Sequence, residues 1–434
     1  MNHSGPGSRS SLANRIERVE DAPGEVFLLP ASVSSVTSFF ASYTSVPDFE
    51  AGEEVIRDVT VAMLDKGTHT RDKLEIASLI ENTGARLSFS NNGIRGTVSG
   101  KVLTPDLKLI LSLMREQMQE PSFPEVELDR IKERFKAGIQ QSMLNTGARA
   151  SAALYSSMFK LPHPNYSIDP EKELSLLESI SIEQVRKYHA NKMNLRNWRM
   201  AFVGDLTRKD LAEAGLDELQ IVESSDIPKW DLVYPEKISS GRLEFPLPDR
   251  DNLDVHMGHP VALYRTDPDY LSLSLGIFIL GGNFSARLMQ TVRDEMGLTY
   301  GVGSAMTGMG RHYNGLWRTN IALSSEKLEE GIQATIAELH RFIMDGVTED
   351  EVSEKSETIA GSFKVGLSTT SSLAKSIVAI RQRGEELDYL DSFPDTIRSL
   401  SAGDVNRVIQ KYLREDALSV SVAGTFPARS DSSE

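Results

Sequence analysis

The chain has 434 residues, of which 40% are hydrophobic and 25% are charged, and it contains no cysteine. The lack of cysteine excludes disulfides, thiolate metal sites and cysteine nucleophiles. The formal net charge of −15 argues against nucleic acid as the main partner, because duplex binding requires a basic surface. The length is that of a globular protein with more than one domain.

The first 24 residues are rich in Ser, Gly and charged residues, and this composition predicts a disordered, mobile tail. The tail shows no apolar core of a signal peptide. No apolar run in the chain reaches the ~18 residues that would span a bilayer. We therefore expect a cytoplasmic protein without a membrane span, and a periplasmic or organellar location is not excluded.

Residues 25–206 have the pattern of one α+β domain. Within it, residues 72–84 predict an amphipathic helix with Leu74 on its apolar face and Gly84 as its C-terminal cap. Thr104 follows two strand-like runs and is expected to cap the next helix. The other predicted elements are strands from residue 26 onward, helices at 51–64, 124–160 and 181–192, and a closing strand at 199–206.

The same order recurs in the second half of the chain, after a linker rich in Pro and charged residues. Ser181 and Gly204 match Ser401 and Gly424, and both pairs are 220 residues apart. This period is far too long for a solenoid repeat. We therefore predict an α+β fold of two homologous domains, each an antiparallel or mixed sheet packed with helices. The predicted divisions are a tail at 1–24, a first domain at 25–206, a linker leading into the second lobe at 207–258, a second domain at 259–427 and a tail at 428–434.

None of the eight histidines lies in an H-E-x-x-H or H-x-x-E-H frame, the spacings that place two imidazoles and a carboxylate at one zinc. His256 and His259 are close in sequence, but residues three apart on a strand face opposite ways. The chain also lacks a G-x-S-x-G elbow and a phosphate-binding loop. LGGN at 280–283 predicts only a strand-to-helix turn. The residues alone therefore predict no metal site and no self-sufficient catalytic group.

The most distinctive segment runs from Arg293 to Tyr300, with the sequence RDEMGLTY. It predicts a helix that breaks at Gly297 and enters a strand bearing Tyr300. A guanidinium and a phenol at such a junction can hold a backbone carbonyl or a carboxylate. The alternative is a salt-bridging Arg293 and a half-buried Tyr300.

Several segments together resemble the insulinase/pitrilysin superfamily of metallopeptidases, which includes the mitochondrial processing peptidases. LGGNFSARLMQTVRDEMGLTYGV resembles the signature of the C-terminal domain of that family. MLDKGTHTRDKLEIASLIENTGARLSF resembles the stretch just after its zinc motif, and DPDYLSLSLGIFILGG, ISIEQV and VGDL also fit. The resemblance extends from about residue 26 to about residue 426. It implies two repeated domains, each an antiparallel sheet packed with helices.

In active members of the family, H-x-x-E-H lies about ten residues before a Lys-Gly-Thr, and a glutamate on a later helix is the third zinc ligand. Alignment on the Lys-Gly-Thr at 66–68 places Asp58, Val61 and Ala62 at the two histidines and the catalytic glutamate. The later helix places Gly138 at the third ligand. The resemblance therefore implies that this chain binds no metal and does not cleave peptides alone.

The resemblance also implies a role for Arg293 and Tyr300. In the family, an Arg and a Tyr seven residues apart help to bind the peptide substrate near zinc, from the domain opposite the metal. Bacterial relatives include heterodimers in which one subunit holds zinc and the other supplies this pair. The expectation is a non-catalytic substrate-binding subunit that completes the active site of a zinc-bearing partner. The alternative is a pseudoenzyme scaffold or peptide-binding protein, like the core subunits of respiratory complex III.

Overall fold

The computed structural model shows two α+β halves in one chain. Among the residues it describes, no helix has both the length and the apolar character needed to cross a bilayer. The predicted tail at 428–434 lies outside the described residues. The described residues are 11–32, 35–44, 50–193, 195–222, 229–238 and 240–426.

The first half forms a mixed sheet with helices on its faces. Its strands are β1 (Glu17–Arg18), β2 (Glu25–Pro30), β3 (Val36–Thr44), β4 (Arg86–Asn92), β5 (Arg95–Leu103) and β6 (Arg196–Gly204). Its helices are α1 (Glu53–Met63), α2 (Lys73–Asn82), α3 (Leu107–Gln119), α4 (Glu125–Leu144), α5 (Thr146–Met158), α6 (Pro170–Ser179), α7 (Ile182–Lys192) and α8 (Arg208–Glu213). The strand order is β1-β2-β6-β3-β5-β4, and only β2 and β6 are parallel.

The second half forms a sheet of the same design. Its strands are β7 (Gly241–Pro246), β8 (Asn252–Pro260), β9 (Val302–Thr307), β10 (Leu316–Ser324) and β11 (Ser419–Gly424). Its helices are α9 (Tyr270–Gly281), a π-helix (Met289–Glu295), α10 (Leu328–Asp345), α11 (Glu349–Gly366), α12 (Thr370–Arg383), α13 (Tyr389–Arg398) and α14 (Ala402–Tyr412). The order β7-β11-β8-β10-β9 repeats that of β2, β6, β3, β5 and β4, and β7 and β11 are the parallel pair. The predicted fold of two homologous α+β domains is confirmed.

The second sheet begins earlier than the sequence suggested. β7 starts at Gly241, inside the segment predicted as a linker at 207–258, and β8 spans the predicted start of the second domain. The alternate residues Leu253, Val255 and Met257 of β8 are fully buried, which is the pattern of a core strand. Pro and charged residues are concentrated in the turn between β7 and β8, and these made the whole segment resemble a linker.

The N-terminal segment is also more ordered than predicted from residue 11 onward. β1 pairs with β2, and the Asp391 carboxylate of α13 accepts the backbone N–H groups of Leu12 (2.9 Å) and Ala13 (2.8 Å). Leu12 and Ile16 pack against an apolar cluster shared by β2, α12 and α13. The burial of these two side chains explains the difference from the predicted tail at 1–24, whose first ten residues lie outside the described part.

The two halves exchange helices. α5 of the first half packs on β8 and β11, and α12 of the second half packs on β3 and β6. Thr146 of α5 donates a hydrogen bond to Asp254 of β8. At the equivalent place, Thr370 of α12 lies within hydrogen-bonding distance of Ser38 of β3 (2.8 Å). Each sheet is therefore covered by a helix from the other half.

Several local predictions differ from the structure. The predicted helix at 124–160 is interrupted at Asn145 into α4 and α5, and Tyr300 lies before β9 and not in a strand. The run LSLSLGIFIL was read as a strand but lies in α9, which is buried on nearly every side; an apolar run of this kind does not distinguish a buried helix from a strand. LGGN at 280–283 therefore follows a helix. Leu74 is 74% exposed, and the Thr104 hydroxyl pairs with that of Thr37 (2.9 Å) and caps no helix.

Candidate functional site

Three of the four positions aligned with the zinc motif lie on one face of α1. Asp58 is exposed, Val61 is buried and Ala62 is partly buried. Residues three and four apart on a helix share a face, and all three line one cavity of about 440 Å³. The other lining residues are Asp65, Lys66, Leu87, Ser88, Phe89, Ser90, Asn91, Arg134 and Phe135.

The donor atoms of this cavity do not fit a zinc ion. The Asp58 carboxylate already accepts hydrogen bonds from Asn91 (2.9 Å) and Arg57 (3.3 Å), and Val61 and Ala62 have no lone pair to offer. No group of three or more His, Cys, Asp or Glu residues among the described ranges has the arrangement of a metal site. Val61 and Ala62 place aliphatic carbon where a catalytic zinc peptidase needs nitrogen and oxygen ligands.

The fourth aligned position, Gly138 of α4, does not line the cavity. The residues of α4 that do so are Arg134 and Phe135, one turn earlier. A Cβ atom added at Gly138 would have no heavy atom within 4 Å, so the position faces open space. The structure thus brings together Asp58, Val61 and Ala62 and leaves Gly138 outside the lining.

The cavity lies beside the edge strand of the first sheet. β4 is the last strand in the order, and no described strand pairs with its outer edge. Its consecutive residues from Leu87 to Asn91 contribute to the cavity wall. An unpaired edge presents backbone donors and acceptors to an extended peptide. The site can therefore hold an added strand with one side chain in the cavity.

The segment from Arg293 to Tyr300 has a firmly held backbone and outward side chains. Gly297 adopts φ +60° after the π-helix, and its carbonyl accepts a hydrogen bond from Lys327 (2.7 Å). The buried Thr299 hydroxyl donates to the carbonyl of Ala322 (2.6 Å). These bonds direct the next residue, Tyr300, into solvent.

Tyr300 is 95% exposed, so the alternative of a half-buried tyrosine is wrong. The side chain of Arg293 is 40% exposed, and its Nε lies 3.9 Å from the carboxylate of Asp294. Within the described part of the chain, neither side chain hydrogen-bonds the other or a residue of the Asp58 cavity. Tyr300 is therefore free to contact another molecule, whereas Arg293 keeps the contact with Asp294 that the salt-bridging alternative predicted.

The histidine pair is structural. Burial lowers the pKa of both His256 and His259 to about 4. The Nδ1 atom of His256 is 2.9 Å from the guanidinium of Arg318, and Nε2 of His259 accepts the backbone N–H of Arg414 (3.0 Å). The two rings, both on β8, therefore have separate partners, Arg318 of β10 and the backbone of Arg414, as expected for residues three apart on a strand.

The sequence did not identify the cavity residues contributed by β4 and α4. Asn91 and Phe135 lie far from Asp58 along the chain and belong to no motif, and Phe89 ends the family-like segment at 63–89 without being marked there as a cavity residue. The signal that was available is the alternation in RLSFSNN, which marks a strand but does not show that this strand forms the edge of the sheet beside α1. Only the sheet order places these residues at one site.

Comparison with known proteins agrees with this architecture. Residues 179–359 match the family described as Peptidase M16 inactive domain. The chain is 20% identical over 367 residues to the non-peptidase homolog YmxG of Helicobacter pylori, a match that covers 83% of this chain and 82% of that protein. It is 23% identical over 398 residues to the uncharacterized zinc protease YmxG of Bacillus subtilis, covering 84% of this chain and 88% of the other.

Solved structures show the same fold. The peptidase M16 inactive domain from Pseudomonas fluorescens superposes with a TM-score of 0.83 at 23% identity, covering 95% of this chain and 98% of that one. A protease from Helicobacter pylori superposes with a TM-score of 0.81 at 16% identity, covering 94% and 99%. Residues 179–359 therefore match the inactive domain of peptidase family M16, and most of the chain is similar to a non-peptidase homolog and to a protein named an uncharacterized zinc protease, with the fold of a solved M16 inactive domain.

Proposed function

We propose that this chain is the non-catalytic, substrate-binding subunit of a heteromeric zinc peptidase, whose zinc is held by a partner subunit alone. The observation that carries the proposal is the exposure of Tyr300, 95% of which faces solvent, directly after two buried residues. The turn at Gly297 and the hydrogen bonds of Thr299 hold the backbone there. A large aromatic side chain held outward in this way is typical of a residue that contacts another molecule.

Arg293 and Tyr300 supply complementary donors for a peptide. The planar guanidinium of Arg293 presents several N–H groups, and the phenol of Tyr300 adds one O–H. Directed at the carbonyl of a peptide held at the partner's zinc, both groups would stabilise the negative charge that develops on its oxygen during hydrolysis. Such donors contribute most when the site is closed and dry, a condition that the partner subunit would provide.

The Asp58 cavity favours a second candidate, peptide binding without proteolysis. Its volume of about 440 Å³ is enough for one side chain, and the β4 edge beside it can pair with an extended backbone. This arrangement requires no partner. The two candidates differ in one measurable respect: only the first predicts that adding a zinc-bearing homologue produces peptidase activity.

Co-purification from the native host tests the proposal. The affinity-tagged chain is isolated, and the proteins bound to it are identified by mass spectrometry. A homologue with an intact H-x-x-E-H motif is expected, and mixing the two purified subunits should yield peptidase activity that this chain lacks alone. A chain that binds extended peptides but gives no activity with any such homologue of its host would support the second candidate.

A further inference from the structure

The two halves differ in the burial of one pair of equivalent strands, β2 and β7. Each of these strands pairs in parallel with the closing strand of its half, β6 or β11. In β2, four consecutive residues are buried, whereas all six residues of β7 except the partly buried Phe245 are exposed. Phe27 of β2 is 4% exposed and its equivalent in β7, Leu243, is 37% exposed.

The N-terminal segment contributes to this difference, together with α12. Residues 11–18 run along β2, where β1 pairs with it. Leu12 and Ile16 pack on the cluster formed by β2, α12 and α13. No described strand pairs with the outer edge of β7. The surface that the chain covers in its first half is therefore open in the second.

A cavity marks the open position. It has a volume of about 330 Å³ and lies between β7, α5 and the start of α6, which correspond in the duplicated fold to β2, α12 and α13. On α5, Ala153 and Ser156 stand where α12 has the buried Ile377 and Ile380. We call this surface the β7–α5 groove, defined by Arg149, Ala152, Ser156, Lys160, Leu243 and Phe245. Its smaller side chains leave room for large apolar side chains of an occupant.

Two cations border the groove. The guanidinium of Arg149 lies over the ring of Phe245 at 4.8 Å, and the Lys160 ammonium donates to the carbonyl of Ser156 (2.6 Å). Neither forms an ion pair with a carboxylate of the described residues. The Asp169 carboxylate, also in the lining, is occupied by backbone N–H groups at the start of α6. The described lining of the groove therefore carries two cationic side chains against one carboxylate.

We propose that the β7–α5 groove binds an extended acidic segment of a separate polypeptide, which adds to β7 as a strand. Its apolar side chains fill the cavity, and carboxylates at either side pair with Arg149 and Lys160. Arg149 and Lys160 are eleven residues apart along the chain. At helical rise this separation is roughly 16 Å, which is the length of about five residues of extended chain. The proposal goes beyond the proposed function, because it concerns neither the Asp58 cavity nor Arg293 and Tyr300.

Two segments of the chain itself suit the groove poorly. Residues 1–10, MNHSGPGSRS, carry no carboxylate side chain. Residues 427–434, PARSDSSE, carry acids but no large apolar side chain that would fill the cavity. Charge and shape together therefore favour a separate polypeptide that carries both carboxylates and large apolar side chains.

Fluorescence anisotropy with two labelled hexapeptides tests the proposal on the full chain. The probes are Glu-Leu-Thr-Phe-Thr-Glu and its counterpart with Lys at both ends. We expect the acidic peptide to bind at least about ten-fold more tightly than the basic one. The double variant Arg149→Glu/Lys160→Glu should reverse this preference. The matched control Arg186→Glu/Lys187→Glu, on exposed residues of α7, should leave it unchanged.

A second variant tests the cavity separately from the charges. Ala152→Phe fills the groove and should weaken binding of the acidic peptide at least about ten-fold. Equal affinity for both peptides, or a preference that survives the Arg149/Lys160 reversal, overturns the proposal. The proposal is also overturned if removal of residues 427–434 gives the peptide access to the groove. The same holds if Ala152→Phe dissociates a dimer of this chain. In these cases the occupant is the chain's own tail or a second copy.

Discussion

Ser38 Oγ lies 2.8 Å from Thr370 Oγ1, although the two residues are 332 positions apart. The contact joins the first sheet to a helix that the second half contributes. Thr146 and Asp254 form the equivalent contact in the opposite direction. Each half therefore completes the other, and the unit that folds is the pair of halves together.

The exchange of α5 and α12 between the two halves predicts a single cooperative unfolding transition for the chain. Ile377 of α12 is fully buried against Phe27 and Leu29 of the first sheet, and Ile377→Ala should lower the free energy of unfolding by about 2–5 kcal/mol. Denaturation is followed in single-tryptophan variants, through Trp198 of the first half or Trp317 of the second. Ile377→Ala should lower the free energy of unfolding by the same amount with either probe. The exposed Val365→Ala is the control. Separate transitions for the two tryptophans would show that the halves fold independently.

A second prediction concerns metal content. The chain, saturated with zinc and then dialysed, should retain no stoichiometric ion by elemental mass spectrometry, because Val61 and Ala62 provide no ligand and Asp58 is hydrogen-bonded to Asn91. The zinc-bearing homologue, treated alongside, is the positive control. One ion retained per chain, and lost in Asp58→Asn, would show that the cavity binds metal through ligands other than those of the family motif.

The third prediction is a pH dependence centred on Asp269. Hydrogen bonds from Arg407, and also from Lys411 and Tyr412, lower the pKa of this buried carboxyl below its ordinary value, although burial opposes them. The folded pKa lies below the unfolded one, so the stabilisation is present above about pH 4 and is lost as the pH falls toward the folded pKa.

Asp269→Asn should therefore cost about 2 kcal/mol of unfolding free energy at pH 7. The difference from the unmodified chain should narrow as the pH falls from 4 to 2, measured by urea denaturation across this range. The exposed Asp350→Asn is the matched control and should behave as the unmodified chain. A difference that stays constant with pH would rule out the titration of Asp269 as its cause.

The repeat, the fold class and most helix positions could be predicted because they depend on local patterns and on matched positions such as Gly204 and Gly424. The exchange of α5 and α12 could not, because an apolar helix face does not specify which sheet it will cover. α9 was missed for a related reason: a helix buried on nearly every side loses its 3.6-residue pattern. The order at residues 11–18 depends on contacts with Asp391 and α12, which no local pattern reveals.

The candidate site also has one part that the sequence could predict and another that only the fold shows. That Val61 and Ala62 cannot bind a metal could be predicted from the sequence, because their side chains carry no donor atom. The cavity around them depends on β4 and α4 and appears only in the fold. The alignment placed Gly138 at the third zinc ligand. In the structure, Phe135 of the same helix lines the cavity and Gly138 does not.

The fourth prediction separates stability from function at the exposed pair. Tyr300→Phe removes a hydroxyl that has no partner among the described residues, and Arg293→Ala removes a half-exposed side chain whose nearest carboxylate is 3.9 Å away. Each variant should unfold within about 0.5 kcal/mol of the unmodified chain. A larger loss in either variant would indicate a structural role for the pair.

The central claim is that Arg293 and Tyr300 act on a peptide held at a partner's zinc. Its most direct test is the peptidase activity of the reconstituted complex, with Arg293→Ala and Tyr300→Phe compared against the surface control Arg186→Ala. We expect kcat/KM to fall by about 100-fold for Arg293→Ala and by less for Tyr300→Phe, while complex formation stays intact. Unchanged activity in both variants, with the complex fully assembled, would contradict it.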